Sequence, residues 1–138
     1  MKGSIFSVTA VLAAGLAAVA AAATPQRDFK VLPVGASHVT GTGTLRSAGI
    51  ETGLQLMLSG LPRNRKFRVL LHTGTCARRS ATSTVLGIAT SGSNGTARYS
   101  SLVRRNGAAM SFASVADGKH VVTVVVKTKT LACGAIPA

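Results

Sequence analysis

Acid is what this sequence has least of. Three carboxylate side chains, Asp28, Glu51 and Asp117, stand against sixteen lysines and arginines, and the formal net charge is +13. Acid–base catalysis by paired carboxylates needs two acids at one place. Here Asp28 and Glu51 flank strand-like segments, and Asp117 sits beside Gly118 in a turn, where an aspartate caps its own backbone. Nucleophile elbows and phosphate-binding loops are missing too. Tryptophan is absent and Tyr99 is the only tyrosine. That removes the stacking platform that single-stranded nucleic acid requires. After the first residues no stretch keeps a helical period, so no recognition helix for sequence-specific DNA binding is expected. The composition points away from an enzyme, and no resident cofactor is expected.

The N-terminus carries one charge, Lys2, and then an uncharged alanine-rich run to Ala23. Ala21 and Ala23 form a small-x-small cleavage signal ahead of "TPQRDFK". This is the layout of a secretory signal peptide over residues 1–23, leaving one domain over 24–138 in the cell envelope or outside the cell. No later apolar run is long enough to span a bilayer, so no transmembrane segment is expected after signal removal.

What is present is alternation. "GLQLMLSG" sets Leu54, Leu56 and Leu58 on one face, and "KFRVLLH" does the same with Phe67, Val69 and Leu71. Period two is the mark of a strand with one buried face. Further strands are expected over 29–34, 38–46, 84–91, 96–105, 108–115, 119–127 and 130–136. "GSNG" at 92–95, Asn106–Gly107 and "ADG" at 116–118 supply turns, and Asn-Gly is the dipeptide of a tight hairpin. "KHVVTVVVK" is apolar on both faces, which suits a central strand. Seven or eight short strands drawn from these nine segments, with regular turns, predict an all-β Greek-key sandwich or flattened barrel.

Two cysteines, Cys76 and Cys133, have no Cys-x-x-Cys spacing. In an exported chain they are expected to pair as one intramolecular disulfide. The basic residues cluster around turns: Arg63, Arg65, Lys66 and Arg68; Arg78 and Arg79; Arg104 and Arg105; Lys127 and Lys129. Guanidinium forks suit phosphate and carboxylate groups. These loops are expected to ring the ends of the domain and contact an anionic polymer or surface without reading sequence.

Three blocks resemble copper/zinc superoxide dismutase and the secreted CHRD-type domains of similar look. They are "SHVTGTGTLRSAGIETGLQLMLSGLPRNRKFRVLLHTGTC", "LGIATSGSNGTARYS" and "LACGAI". Gly60-Leu61-Pro62 matches the family's glycine–leucine turn, Gly74-Thr75-Cys76 its Gly-x-Cys, and Leu131-Ala132-Cys133-Gly134 its terminal motif. The resemblance implies a dismutase-like sandwich in which the two cysteines pair. It also implies a copper and a zinc site, and there the sequence departs. The whole chain has three histidines, His38, His72 and His120, too few for both metals. The His-x-His strand reads Leu70-Leu71-His72, and the zinc-loop interval Ala77–Val85 holds no His, Asp or Glu. Thr130 stands where the family has its anion-guiding arginine. The chain is therefore expected to be a metal-free member, with His38, His72 and His120 the only weak metal candidates. The alternative is a divergent dismutase recruiting copper through them.

Overall fold

The computed structural model describes residues 24–138 together with residue 3, so the expected signal segment lies, Gly3 apart, outside the described residues. Eight strands build the main sheet: β1 (Gln26–Pro33), β2 (Thr40–Ala48), β3 (Glu51–Ser59), β4 (Lys66–Gly74), β5 (Arg79–Thr90), β6 (Ala97–Leu102), β9 (His120–Val126) and β10 (Lys129–Ile136). A small hairpin, β7 (Arg104–Arg105) and β8 (Ala108–Ala109), and one helical turn, α1 (Phe112–Val115), lie between β6 and β9. Among the described residues no helix is long and apolar enough to cross a membrane.

The sheet order is β5-β4-β9-β10-β1-β2-β3-β6, with every neighbouring pair antiparallel. The two outermost strands curl round and meet without a ladder. At this seam the Tyr99 ring of β6 lies over Gly87 of β5, where a Cβ would come within 2.5 Å of the tyrosine hydroxyl. Only glycine leaves room for that approach. Counting across the seam, β3 lies beside β6 and β9 beside β4. The connections β3–β4 and β6–β9 therefore cross the barrel ends as two Greek keys sharing β4, β5 and β6. The result is the flattened all-β barrel that the alternation predicted.

Leu54, Leu56 and Leu58 of β3 and Phe67, Val69 and Leu71 of β4 all point inward and are buried. Each such side chain, moved wholly out of water, contributes roughly 1.5–3 kcal/mol. Phe29 of β1 lies flat against Gly43 of β2 and Gly134 of β10, so one ring fills the space that two side chains would take. The strand β9 is buried on both faces. Val122 and Val124 face the core, whereas Val121, Thr123 and Val125 face outward and are still at most 5% exposed. The β4–β5 connection folds back over this outer face, because Cys76 in it is bonded to Cys133, the register partner of Thr123. The disulfide joins Cα atoms 5.9 Å apart across a sequence separation of 57.

Two expectations are corrected. The strand expected over 108–115 keeps only Ala108–Ala109; Phe112–Val115 is a helical turn capped by Ser111, whose hydroxyl accepts from the Ser114 amide. Serine at that position satisfies the otherwise free amide, and docking Val115 into the core holds the turn. The strand expected from Thr84 begins at Arg79, since the Thr- and Ser-rich run pairs with β4 through two register shifts. Most of the interval compared above with a zinc loop is therefore strand.

Candidate functional site

The antiparallel order sends successive connections to opposite ends of the barrel. One end carries the β1–β2, β3–β4, β5–β6 and β9–β10 connections. The other carries the β2–β3 and β4–β5 turns, the β7–β8 hairpin, α1 and the C-terminus.

At the first end, main-chain bonds set the loops. The Leu61 amide donates to Gly95 O at 2.9 Å, the Asn64 amide to Gly92 O at 3.2 Å, and the Ser91 amide to Arg65 O at 2.9 Å. The buried Ser91 hydroxyl donates to Pro62 O and accepts from the Arg65 amide at 3.0 Å. Backbone and one serine thus satisfy each other, and the charged side chains are left pointing out. Arg63, Arg65, Lys66, Lys127 and Lys129 are exposed there. Arg68 reaches from β4 to the β9–β10 turn and donates to Lys127 O at 2.8 Å. That turn needs a left-handed residue, and Lys127 supplies it at φ 56°. Between these loops runs a groove of about 430 Å³ with Val126, Leu131 and Pro62 in its walls and Arg65, Lys127 and Lys129 at its rim.

None of the chain's three carboxylates is at this end. Asp28 lies near the start of β1, Glu51 starts β3, and Asp117 precedes β9, all toward the opposite end. The basic end therefore has no internal counterion, and its cations are open to an external one.

The eight arginines and lysines read from the sequence as anion-binding do not form one site. Arg63, Arg65, Lys66 and Arg68 gather at the basic end. Arg78, Arg79, Arg104 and Arg105 go to the other end, where two of the four are already engaged. Arg104 pairs with Glu51 at 2.8 Å, and Arg79 donates to Cys76 O at 2.9 Å. Arg27 donates to Ala138 O at 3.1 Å and lies 5.4 Å from the centre of the Phe112 ring. The sequence reading passed over Arg98. It faces outward on β6 close to the basic end, and its alternating position three residues after the 92–95 turn was the available signal.

The three histidines are scattered. His38 is exposed in the β1–β2 connection at the basic end. His72 faces outward from β4, and His120 faces inward from the start of β9, so the two point to opposite sides of one sheet. His72 is held at both nitrogens. Its Nδ1 lies 3.1 Å from Ser80 O, which can only accept, so Nδ1 carries a proton, and Nε2 lies 3.0 Å from Thr123 Oγ1, a hydroxyl that can donate or accept. His120 Nδ1 lies 2.9 Å from Asp117 Oδ1, and its buried Nε2 has no partner among the described residues. Burial raises the Asp117 pKa, but hydrogen bonds from His120 and the Lys119 amide, with the His120 charge, outweigh this and hold the carboxyl below its ordinary 3.8. At the seam, burial pushes the Tyr99 phenol up, against the opposing effect of its hydrogen bond to Ser101. Among the described residues no three His, Cys, Asp or Glu side chains gather in a metal-holding group.

No family model matches the chain, no curated protein matches it, and no solved structure matches it. Its chemistry is therefore argued from the barrel itself: one end lined with cations and without acids, the other holding all three carboxylates, where Arg104 is paired.

Proposed function

We propose that the chain is an exported, non-catalytic β-barrel module that binds anionic polymer of the cell envelope or extracellular space through its basic end. The observation that carries this reading is the grouping of Arg63, Arg65, Lys66, Arg68, Lys127 and Lys129 at an end with no carboxylate. Export rests on the alanine-rich leader and agrees with a stable disulfide. We take the dismutase-like and CHRD-like blocks as a sign of common ancestry, in a relative that lost its metals. The alternative, a copper-dependent dismutase, needs imidazoles that converge, and His38, His72 and His120 lie at one end, on the outer face and on the inner face.

Retention on heparin-agarose tests the proposal. The protein is expected to elute at progressively lower retention as salt screens the contact. Changing Arg63, Arg65, Lys66 and Arg68 together to serine is expected to weaken affinity about tenfold, with the fold intact by circular dichroism. Unchanged retention would remove the basic end as the contact. Copper bound at one per chain, with superoxide turnover, would replace this reading by the dismutase.

A further inference from the structure

The barrel is not laddered all the way round. β5 and β6 are the two ends of the strand order, and each has one edge without a strand partner. They touch where Tyr99 covers Gly87. Toward the end away from the basic loops they part, and a cleft of about 450 Å³ opens between them. One wall is Ser83, Thr84, Val85 and Leu86; the other is Leu102, Arg104, Asn106 and Gly107. Four consecutive residues of a strand cannot share a face, because their side chains alternate. What these four share is the strand's edge. A second cleft of about 330 Å³ lies on the other side of Asn106, again against Ser83 and Thr84, with Arg105 on its wall.

An open edge offers a row of backbone donors and acceptors that can template another strand. We propose that this slot receives an extended acidic peptide, which adds to β5 as a strand and fills the gap in the barrel wall. Strand addition draws affinity from main-chain hydrogen bonds and selectivity from the flanking side chains. The flanking charge here is positive. Arg105 makes no side-chain hydrogen bond among the described residues, and Arg104 is shared with Glu51. Ser83 and Thr84 add hydroxyls that donate or accept as a peptide requires.

The same charge argues against a second copy as the occupant. Another chain would bring its own +13 and its own Arg104 and Arg105 into the slot. A folded barrel edge would also have to pass Leu102 and the β7–β8 turn, which a single extended segment need not do. That hairpin is fastened at its root and free at its tip. The Val103 amide donates to Thr52 O at 2.8 Å and Thr52 Oγ1 to Met110 O at 2.7 Å, whereas a side chain at Gly107 would meet nothing within 4 Å. The tip at Gly107 therefore has open space beside it. This site is separate from the basic end, and either can fail without the other.

The test is amide hydrogen exchange on the oxidised protein with a capped peptide of alternating glutamate and valine, six residues long. Amides within Ser83–Leu86 that point into the seam are expected to slow about tenfold at saturation, while those of β3, laddered on both sides, stay unchanged. Methylating every second peptide nitrogen, tried in both registers, is expected to abolish the slowing in at least one register. Arg105→Glu is expected to weaken the peptide about fivefold with no change in melting temperature. No slowing, or equal slowing with both methylated peptides, overturns the proposal. Slowing without peptide that grows with protein concentration assigns the edge to a second copy, and overturns it too.

Discussion

At the basic end the loops close on one another through main-chain bonds and the Ser91 hydroxyl, and the charged side chains take no part in closing them, Arg68 excepted. At the opposite end side-chain links join main-chain bonds such as Gly74 to Lys119 O and Val103 to Thr52 O: a disulfide, the Arg104–Glu51 pair, the Asp117–His120 contact and Arg27 on the C-terminal carbonyl. Both ends are rich in arginine. They differ in their acids: the second end holds all three carboxylates, and there Arg104 is paired with Glu51 while Arg105 is not. A cation already matched inside its own fold gains little from an outside anion, because the new contact must replace the old one. Counting basic residues is therefore a poor guide to an anion site; the position of the few acids decides it.

If the tied end depends on side-chain links, cutting the strongest should cost most. Cys76→Ser with Cys133→Ser opens a loop of 57 residues' separation and is expected to remove on the order of 4 kcal/mol by the chain-entropy argument. Urea unfolding of the double variant against the oxidised protein measures it, and a loss below about 1 kcal/mol would mean the β4–β5 connection is held by His72 and Ser80 instead. Ser91→Ala probes the basic end in the same units. It leaves Pro62 O and the Arg65 amide short of a partner at a buried position and is expected to cost about 1–3 kcal/mol.

The comparison sharpens with charge. Changing Arg78, Arg79, Arg104 and Arg105 to serine removes as many charges as the basic-end quadruple. It is expected to lower heparin affinity by less than about threefold, against about tenfold, or roughly 1.4 kcal/mol, for the other set. Equal losses would show that net charge alone governs binding. The smallest effect concerns acid. Asp117 has a folded pKa below its ordinary 3.8, so its contribution is complete above the unfolded value and is lost as pH falls through the folded one. Asp117→Asn is expected to flatten the fall of melting temperature below about pH 5 while leaving anion retention unchanged. A parallel fall in both proteins would show that Asp117 does not carry the acid sensitivity.

Much of the barrel was legible from alternation. Leu54, Leu56 and Leu58 announce an inward face, and "VVTVVV" announces a strand covered on both sides. The helical turn at Phe112–Val115 was not legible, since four residues are too few for a period to register, and Ser111 reads equally well as a strand or a cap. The histidines could be counted but not placed. A shift of one residue moves a side chain through the sheet, so His72 and His120, one pairing step apart, end on opposite faces. Ser91 gave no signal at all: its value lies in two carbonyls and an amide brought to it from another loop.

Fold class and the identity of the bridging thiols follow from the sequence by itself. Alternation is a local property of neighbouring residues, and two cysteines in one domain have only each other for an intramolecular bridge. Which arginines stand together, where the acids fall relative to them, and which strand edge stays open were decided only by the tertiary structure. Those facts depend on the order of strands across the sheet, and that order is set by the packing of the whole barrel rather than by any segment within it.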